Sequence, residues 1–155
     1  ISGGLVGSEM CIRDRAVCNS FKRDVLQEGH QIKTDTLKIA LFTSAASLSA
    51  GTSVFSSSNE VVSSGGYAPG GGTLTGVTIS LGGTSASGGT AIIDFADISF
   101  TSTTFSARGA LIYNSSNSNK AIAVLDFGSD KVSTNGTFTI SFPAAAAATA
   151  IITLS

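Results

Sequence analysis

The chain has 155 residues, of which 42% are hydrophobic and 12% charged, and its formal net charge is −1. This length predicts one domain, and the balance of apolar over charged residues argues against an intrinsically disordered chain. Beyond Arg23 the sequence has no cluster of Lys and Arg, so we expect no nucleic-acid partner. The apolar stretch 143–152 is too short and too weakly apolar to cross a bilayer, so we expect no membrane partner either.

The N-terminal segment 1–15 differs in character from the rest of the chain. It holds the sole Met, Cys11 and a local cluster of charges, whereas the sequence from Ser44 onward is dominated by Ser, Thr, Gly and Ala. The second cysteine, Cys18, follows closely, and the body of the chain has none. We therefore do not expect a disulfide framework to stabilise the fold.

The first predicted element is a short amphipathic helix over residues 19–29. Asn19 or Ser20 can cap its N-terminus and Gly29 can end it. The apolar stripe consists of Phe21, Val25 and Leu26, and the face turned to water or to a partner carries Lys22, Arg23, Asp24 and Glu28. We interpret the only histidine, His30, as a helix-end or turn residue rather than a metal ligand or catalytic base.

Period-two alternation then predicts a half-buried strand over residues 36–44, whose apolar face carries Leu37, Ile39 and Leu41. Residues 45–72 predict a long, ordered surface excursion with a short edge strand at 59–62 and apolar anchors at Val54, Phe55 and Tyr67. Its glycine run, GGYAPGGG, lacks the GK[ST] of a phosphate loop. We therefore expect these glycines to supply positive φ angles in a tight loop.

The C-terminal half predicts a row of strands, at 73–82, 90–100, 105–114, 120–128, 136–142 and 150–155. The strand at 120–128 is almost wholly apolar, which predicts a central position with both faces covered. Turn-forming residues at 114–119 and 130–136 predict hairpin connections. The chain as a whole predicts an all-β fold, an antiparallel β-sandwich of about seven to eight strands with one short N-terminal helix.

The sequence contains few candidate catalytic groups. Asp94 and Asp97 have opposite parity on one predicted strand, so their carboxylates cannot pair locally, and Asp130 reads as a turn residue. The chain lacks a recognisable nucleophile–base constellation, so we expect no enzyme, no catalytic residue, no metal site and no cofactor. Arg108, the only arginine beyond residue 23, predicts an ion pair with Glu60 or Asp126, or alternatively a place at a subunit interface.

Six sequence runs, taken in order, resemble a family of small structural proteins from tailed bacteriophages. The runs are Asn19 to His30, Thr34 to Phe42, Asn59 to Leu74, Ala107 to Asn114, Ala123 to Gly128 and Phe138 to Phe142. The resemblance spans nearly all of residues 16–155. It implies a component of the virion, without an enzymatic site and without a cofactor.

The resemblance starts directly after a segment of different amino-acid composition. GLVGSEMCIRDR, residues 4–15, resembles the conceptual translation of a sequencing adapter, which implies assembled environmental reads as its origin. We therefore expect residues 1–15 to be an artefact outside the fold, the alternative being a genuine flexible arm. Residues 16–155 are then one β-sandwich domain.

Strand faces rich in Thr and Ser carry little charge, which lowers the cost of desolvating them against a partner. Together with the resemblance, this predicts a homo-oligomeric virion protein that decorates or cements the capsid through protein–protein contacts. The alternative is a tail- or fibre-associated protein, or an adhesin that binds a host glycan. The predicted contact residues are Phe21, Lys22, Arg23, Tyr67, Pro69 and Arg108.

Overall fold

Eight strands and one helix make up the computed structural model, which describes residues 14–27, 29–82, 89–143, 145 and 150–154. The elements are β1 (Asp14–Val17), α1 (Asn19–Leu26), β2 (Leu37–Phe42), β3 (Gly72–Thr73), β4 (Thr78–Gly82), β5 (Thr90–Asp94), β6 (Ile98–Asn114), β7 (Lys120–Ile140) and β8 (Ile152–Leu154). They form a five-stranded sheet in the order β1-β7-β6-β2-β3 and a three-stranded sheet in the order β4-β5-β8. All described pairings are antiparallel, which confirms the predicted fold class.

Buried side chains from both sheets share one core. The five-stranded sheet contributes Leu41 and Ile112, among others, and the three-stranded sheet contributes Ile93 and Ile152. Residues 121–125 of β7 are all buried between β1 and β6, as the apolar run predicted. Residues 1–13 lie outside the described part, so the artefact interpretation stays a prediction; Asp14 and Arg15 already belong to β1 and pair with β7.

The strands β6 and β7 form one long hairpin that dominates the larger sheet. Its turn lies at 115–119, as predicted, but the second predicted turn, at 130–136, is wrong because β7 runs straight through it. A register shift that sets Thr134 and Asn135 of β7 opposite the single residue Thr104 of β6 accommodates part of this stretch within the strand, and a larger shift lies just before it. Between Ala107 and Gly109 of β6, the facing residues of β7 move from Lys131 to Asp126, so β7 carries a bulge of three extra residues there.

Two predicted strands, 73–82 and 90–100, are each split between the two sheets. The first breaks at Gly76, whose φ is +62°, and separates β3 from β4; the second breaks at Phe95 to Asp97 and separates β5 from β6. The breaks lie side by side, since the Ala96 amide donates to the Thr75 carbonyl at 2.9 Å. Both chain segments therefore cross from one sheet to the other at the same corner.

The helix α1 ends earlier than predicted and is capped differently. Its N-cap residue is Cys18, without a side-chain cap, so neither Asn19 nor Ser20 fills that role. Asp24 is buried rather than turned to water, because its carboxylate binds the Arg23 guanidinium at 2.7 Å and the Lys120 ammonium at 3.1 Å. Leu26 of the predicted apolar stripe is exposed, and Glu28 lies outside the described residues.

The excursion between β2 and β3 is ordered by a few contacts. The predicted edge strand at 59–62 is reduced to a single bridge between Phe42 and Glu60. Phe55 stacks on Tyr113 with ring centroids 4.4 Å apart, whereas Val54 is half exposed and is not an anchor. Gly65, Gly70 and Gly71 all have positive φ, which confirms the expected role of the glycines.

Candidate partner-contact surface

The six predicted contact residues separate into buried and exposed sets. Phe21 and Tyr67 lie in the core, so in this structure they cannot reach a partner, which corrects that part of the prediction. Lys22, Arg23, Pro69 and Arg108 are exposed. Lys22 and Arg108 line different clefts.

The position of Pro69 is fixed by a hydrogen-bond network centred on Tyr67. The Tyr67 hydroxyl accepts from the Leu41 amide at 2.9 Å and donates to Glu60 Oε1 at 2.7 Å. Glu60 Oε1 also accepts from the Gly70 amide at 2.6 Å, and the Tyr113 hydroxyl donates to the Gly70 carbonyl at 2.7 Å. Burial raises the pKa of Tyr67 far above its usual range, so its proton stays in place and the Gly-rich loop stays attached to β2.

Arg108 lies opposite the β7 bulge and lines a cleft of about 300 Å³. Its guanidinium lies 3.7 Å from a carboxylate oxygen of Asp126 and 3.7 Å from one of Asp130. Asp126 was a predicted partner and is confirmed. Glu60 is not a partner, because it bonds to Tyr67, and Asp130 belongs to β7 rather than to a turn.

The bulge itself explains this arrangement. Asp126 Oδ1 accepts from the Gly128 amide at 2.8 Å, and Gly128 has a φ of +79°, so the carboxylate shapes the bulge as well as facing Arg108. All three charged side chains are about half exposed, which leaves the ion pairs weak. The rest of the cleft wall is mostly apolar or hydroxylic: Phe42, Thr43, Ser44, Ala46, Leu48, Gly109, Val124 and Leu125.

His30 is held in place by a polar contact and by aromatic packing within the fold. Its Nδ1 lies 3.1 Å from Asn114 Nδ2, and its ring packs edge-on against Phe21 with centroids 4.9 Å apart. Burial lowers the pKa of the imidazole, so it is neutral at physiological pH. Within the described ranges, no group of three or more His, Cys, Asp or Glu side chains could hold a metal ion.

A different exposed feature escaped the sequence analysis, namely the strand β4. Ile79 and Leu81 are 43% and 60% exposed although they alternate with Thr and Ser as a half-buried strand should. Every residue from 61 to 93 is uncharged, a run that could have drawn attention to this strand beforehand. Its position at the end of the three-stranded sheet, however, depends on the split of 73–82, which the sequence did not reveal.

Comparison with known proteins adds no relative: no protein-family model, no curated protein and no solved structure matches the chain. The one described helix, α1, has eight residues, and no helix in the described ranges is long and apolar enough to span a membrane.

Proposed function

We propose that this protein is a structural component of a bacteriophage virion that binds the head shell through protein–protein contacts, as a decoration or cement protein. The observation that supports this most is the exposed face of the β6–β7 hairpin. On β6, the exposed side chains between Ile98 and Ala107 are all hydroxylic, namely Ser99, Thr101, Ser102, Thr104 and Ser106. Val132, directly across from Ser106 on β7, is 56% exposed.

Such a face is inexpensive to desolvate. Burying hydroxyls and a methyl-rich side chain against a partner needs no compensation of buried charge, whereas a Lys- or Glu-rich face would. The cores of protein interfaces are likewise depleted of charged residues. Together with the resemblance to phage structural proteins, this favours docking onto a shell of other protein subunits.

The alternative is a tail- or fibre-associated protein, or an adhesin that binds a host glycan. The glycan-binding form needs aromatic rings exposed at the surface. The sequence has no Trp, and both tyrosines, Tyr67 and Tyr113, are buried. This distribution of aromatic residues favours the protein-docking form.

The first experiment locates the protein on phage particles by immunogold electron microscopy, with an antibody raised against residues 16–155. Serum preadsorbed with the purified protein is the control. Gold spread over heads is the expected result. Gold confined to tails would overturn the head assignment in favour of the alternative, and particles without gold would overturn the virion assignment.

A second experiment tests the hairpin face on particles that carry the label. The purified protein, carrying a fluorescent label, is added to virions from which the native copies have been removed. The variants Ser106→Glu and Val132→Glu are compared with Ser56→Glu, a matched control in the exposed loop before β3. We expect the two hairpin variants to bind at least about tenfold more weakly, because each buries a charge, and the control to bind normally. Equal binding by all three would exclude this face as the docking surface.

A further inference from the structure

The free edge of β4 is an unprotected sheet edge in the described part of the chain. Among described strands β4 pairs with β5 alone, so alternate amide and carbonyl groups on its other side point away from the sheet. The other strands at the ends of the two sheets are shorter or carry a charge: β1 has four residues and carries Arg15, β3 has two residues and β8 has three. The five residues of β4 include neither a charge nor a proline, the usual protections of an edge strand.

The side chains of β4 add to this exposed backbone edge. Ile79 pairs with Ile93 of β5, which pairs in turn with Ile152 of β8. Directly opposed residues share a face, so Ile79 and Leu81 lie on the same face as the buried Ile93 and Ile152. They extend the apolar inner face of the sandwich beyond the point where the protein covers it.

We propose that a second copy of this chain covers the edge, by antiparallel pairing of β4 with the partner's β4 about a two-fold axis perpendicular to the sheet. This inference deepens the proposed function, because it names one partner of the virion protein. A two-fold axis at Ser80 places Thr78 opposite the partner's Gly82 and Ile79 opposite the partner's Leu81. All five residues of β4 are then paired, and the two three-stranded sheets join into one of six strands.

Two properties of the chain favour a copy of itself over another occupant. An axis perpendicular to the sheet keeps both inner faces on the same side, so Ile79, Leu81 and the same two residues of the partner form one apolar patch. The uncharged run from 61 to 93 means that this edge and its flanks meet their own copy without like-charge repulsion. A partner chosen by charge would find nothing here to select it.

The first test is the oligomeric state of the purified full chain, measured by sedimentation equilibrium. One short strand pair is a small interface, so the measurement spans about 10 to 300 μM. We expect a monomer–dimer equilibrium in that range. In the variant Ile79→Lys/Leu81→Lys, lysines face lysines across the axis, and the dissociation constant should rise on the order of tenfold or more. Val62→Lys, at an exposed valine outside any strand, is the matched control and should dimerise normally.

A mixing experiment separates loss of pairing from loss of folding. Ile79→Glu/Leu81→Glu should also be monomeric alone, but an equimolar mixture with the lysine variant should form a heterodimer, since each lysine then faces a glutamate. A wild type that stays monomeric to the highest concentration would overturn the proposal. So would dimerisation of the lysine variant as strong as that of Val62→Lys, or a mixture that stays monomeric.

The register has its own test. Opposed Cα atoms in an antiparallel pair are about 4.5 to 5.5 Å apart, within the range of a disulfide, so Ser80→Cys in a Cys11→Ser background should form a covalent dimer on mild oxidation. Thr78→Cys is the control, because four residues separate it along the strand from its own copy, about 13 Å. Equal crosslinking by both variants, or no covalent dimer from Ser80→Cys, would overturn the pairing. Because these tests use purified protein, the dimer can fail while the virion assignment stands, and the reverse.

Discussion

Tyr67→Phe is the substitution that tests the network beneath the Gly-rich loop most directly. The hydroxyl is buried, accepts from the Leu41 amide at 2.9 Å and donates to Glu60 Oε1 at 2.7 Å. Its removal leaves a buried amide of β2 without an acceptor, which costs about 1 to 3 kcal/mol, and removes a charge-assisted bond worth about 1.5 to 3 kcal/mol. Since Glu60 keeps its bond to the Gly70 amide, we expect a total near 3 kcal/mol rather than the full sum.

The assay is urea unfolding followed by far-UV circular dichroism, with Tyr113→Phe as the matched control. The Tyr113 hydroxyl makes one bond, to the Gly70 carbonyl at 2.7 Å, so its loss should lower the free energy of unfolding by only about 1 kcal/mol. For a chain of this size, 3 kcal/mol corresponds to a fall in Tm of roughly 6 to 12 °C. If Tyr67→Phe costs no more than Tyr113→Phe, the Tyr67 hydroxyl does not carry the network and the reasoning is refuted.

Three further predictions concern the loop, the histidine and the cleft. Gly71→Ala should abolish stable folding, as measured by thermal melting, because a Cβ at this position would lie 1.8 Å from a backbone oxygen of β2. Gly70 has a comparable φ, but a Cβ there would have its nearest neighbour at 3.6 Å, so Gly70→Ala should lower the free energy of unfolding by only about 1 to 2 kcal/mol. Because burial holds the pKa of His30 below 6.5, the unfolded chain binds this proton first, so stability should be constant above about pH 6.5 and fall below it. His30→Gln should remove that slope in urea titrations between pH 7.5 and 5, and an unchanged slope would assign it to other groups. Arg108→Gln should cost at most about 1 kcal/mol in the same assay, while Asp24→Asn, which neutralises a buried carboxylate that pairs with both Arg23 and Lys120, should cost clearly more.

The two predicted hairpin turns show how far local sequence chemistry reaches. Asn119 in the confirmed turn has a φ of +56°, and Asn135 in the wrongly predicted turn has a φ of +47°. Both a tight turn and a bulge need a residue that tolerates positive φ, so Asn-Gly is equally suited to either. What decides is the partner strand: at 136–140, β7 resumes pairing with the first residues of β6, including Phe138 with Phe100. Such a pairing depends on the whole hairpin and cannot be read from the local stretch.

The partners of charged and polar groups were predictable only where the candidates are few. Since charged residues make up 12% of the chain, few acidic residues could face Arg108, and Asp126 was among those named in advance. Asp24 was assigned to the exposed face of α1, because the sequence gives no sign that Lys120, 96 positions away, lies beside it. Tyr67 was correctly predicted as an anchor of its loop and wrongly as a contact, since its hydroxyl is used up by β2 and Glu60.

Low charge has opposite consequences for the two exposed surfaces. Along β6 the exposed side chains from Ser99 to Ser106 are hydroxylic, so this part of the hairpin face is well solvated in a free protein and still easy to desolvate against a shell. On β4 the alternation ends in Ile79 and Leu81, with an unpaired backbone edge, which favours unregulated association if it stays open. Pairing with a second copy covers the β4 edge in a closed two-fold contact. The hairpin belongs to the other sheet, so its exposed face stays available for binding to the shell. A dimer that presents two hairpin faces would bind a repetitive shell at two points, and the second contact would then gain from the effective concentration set by the first.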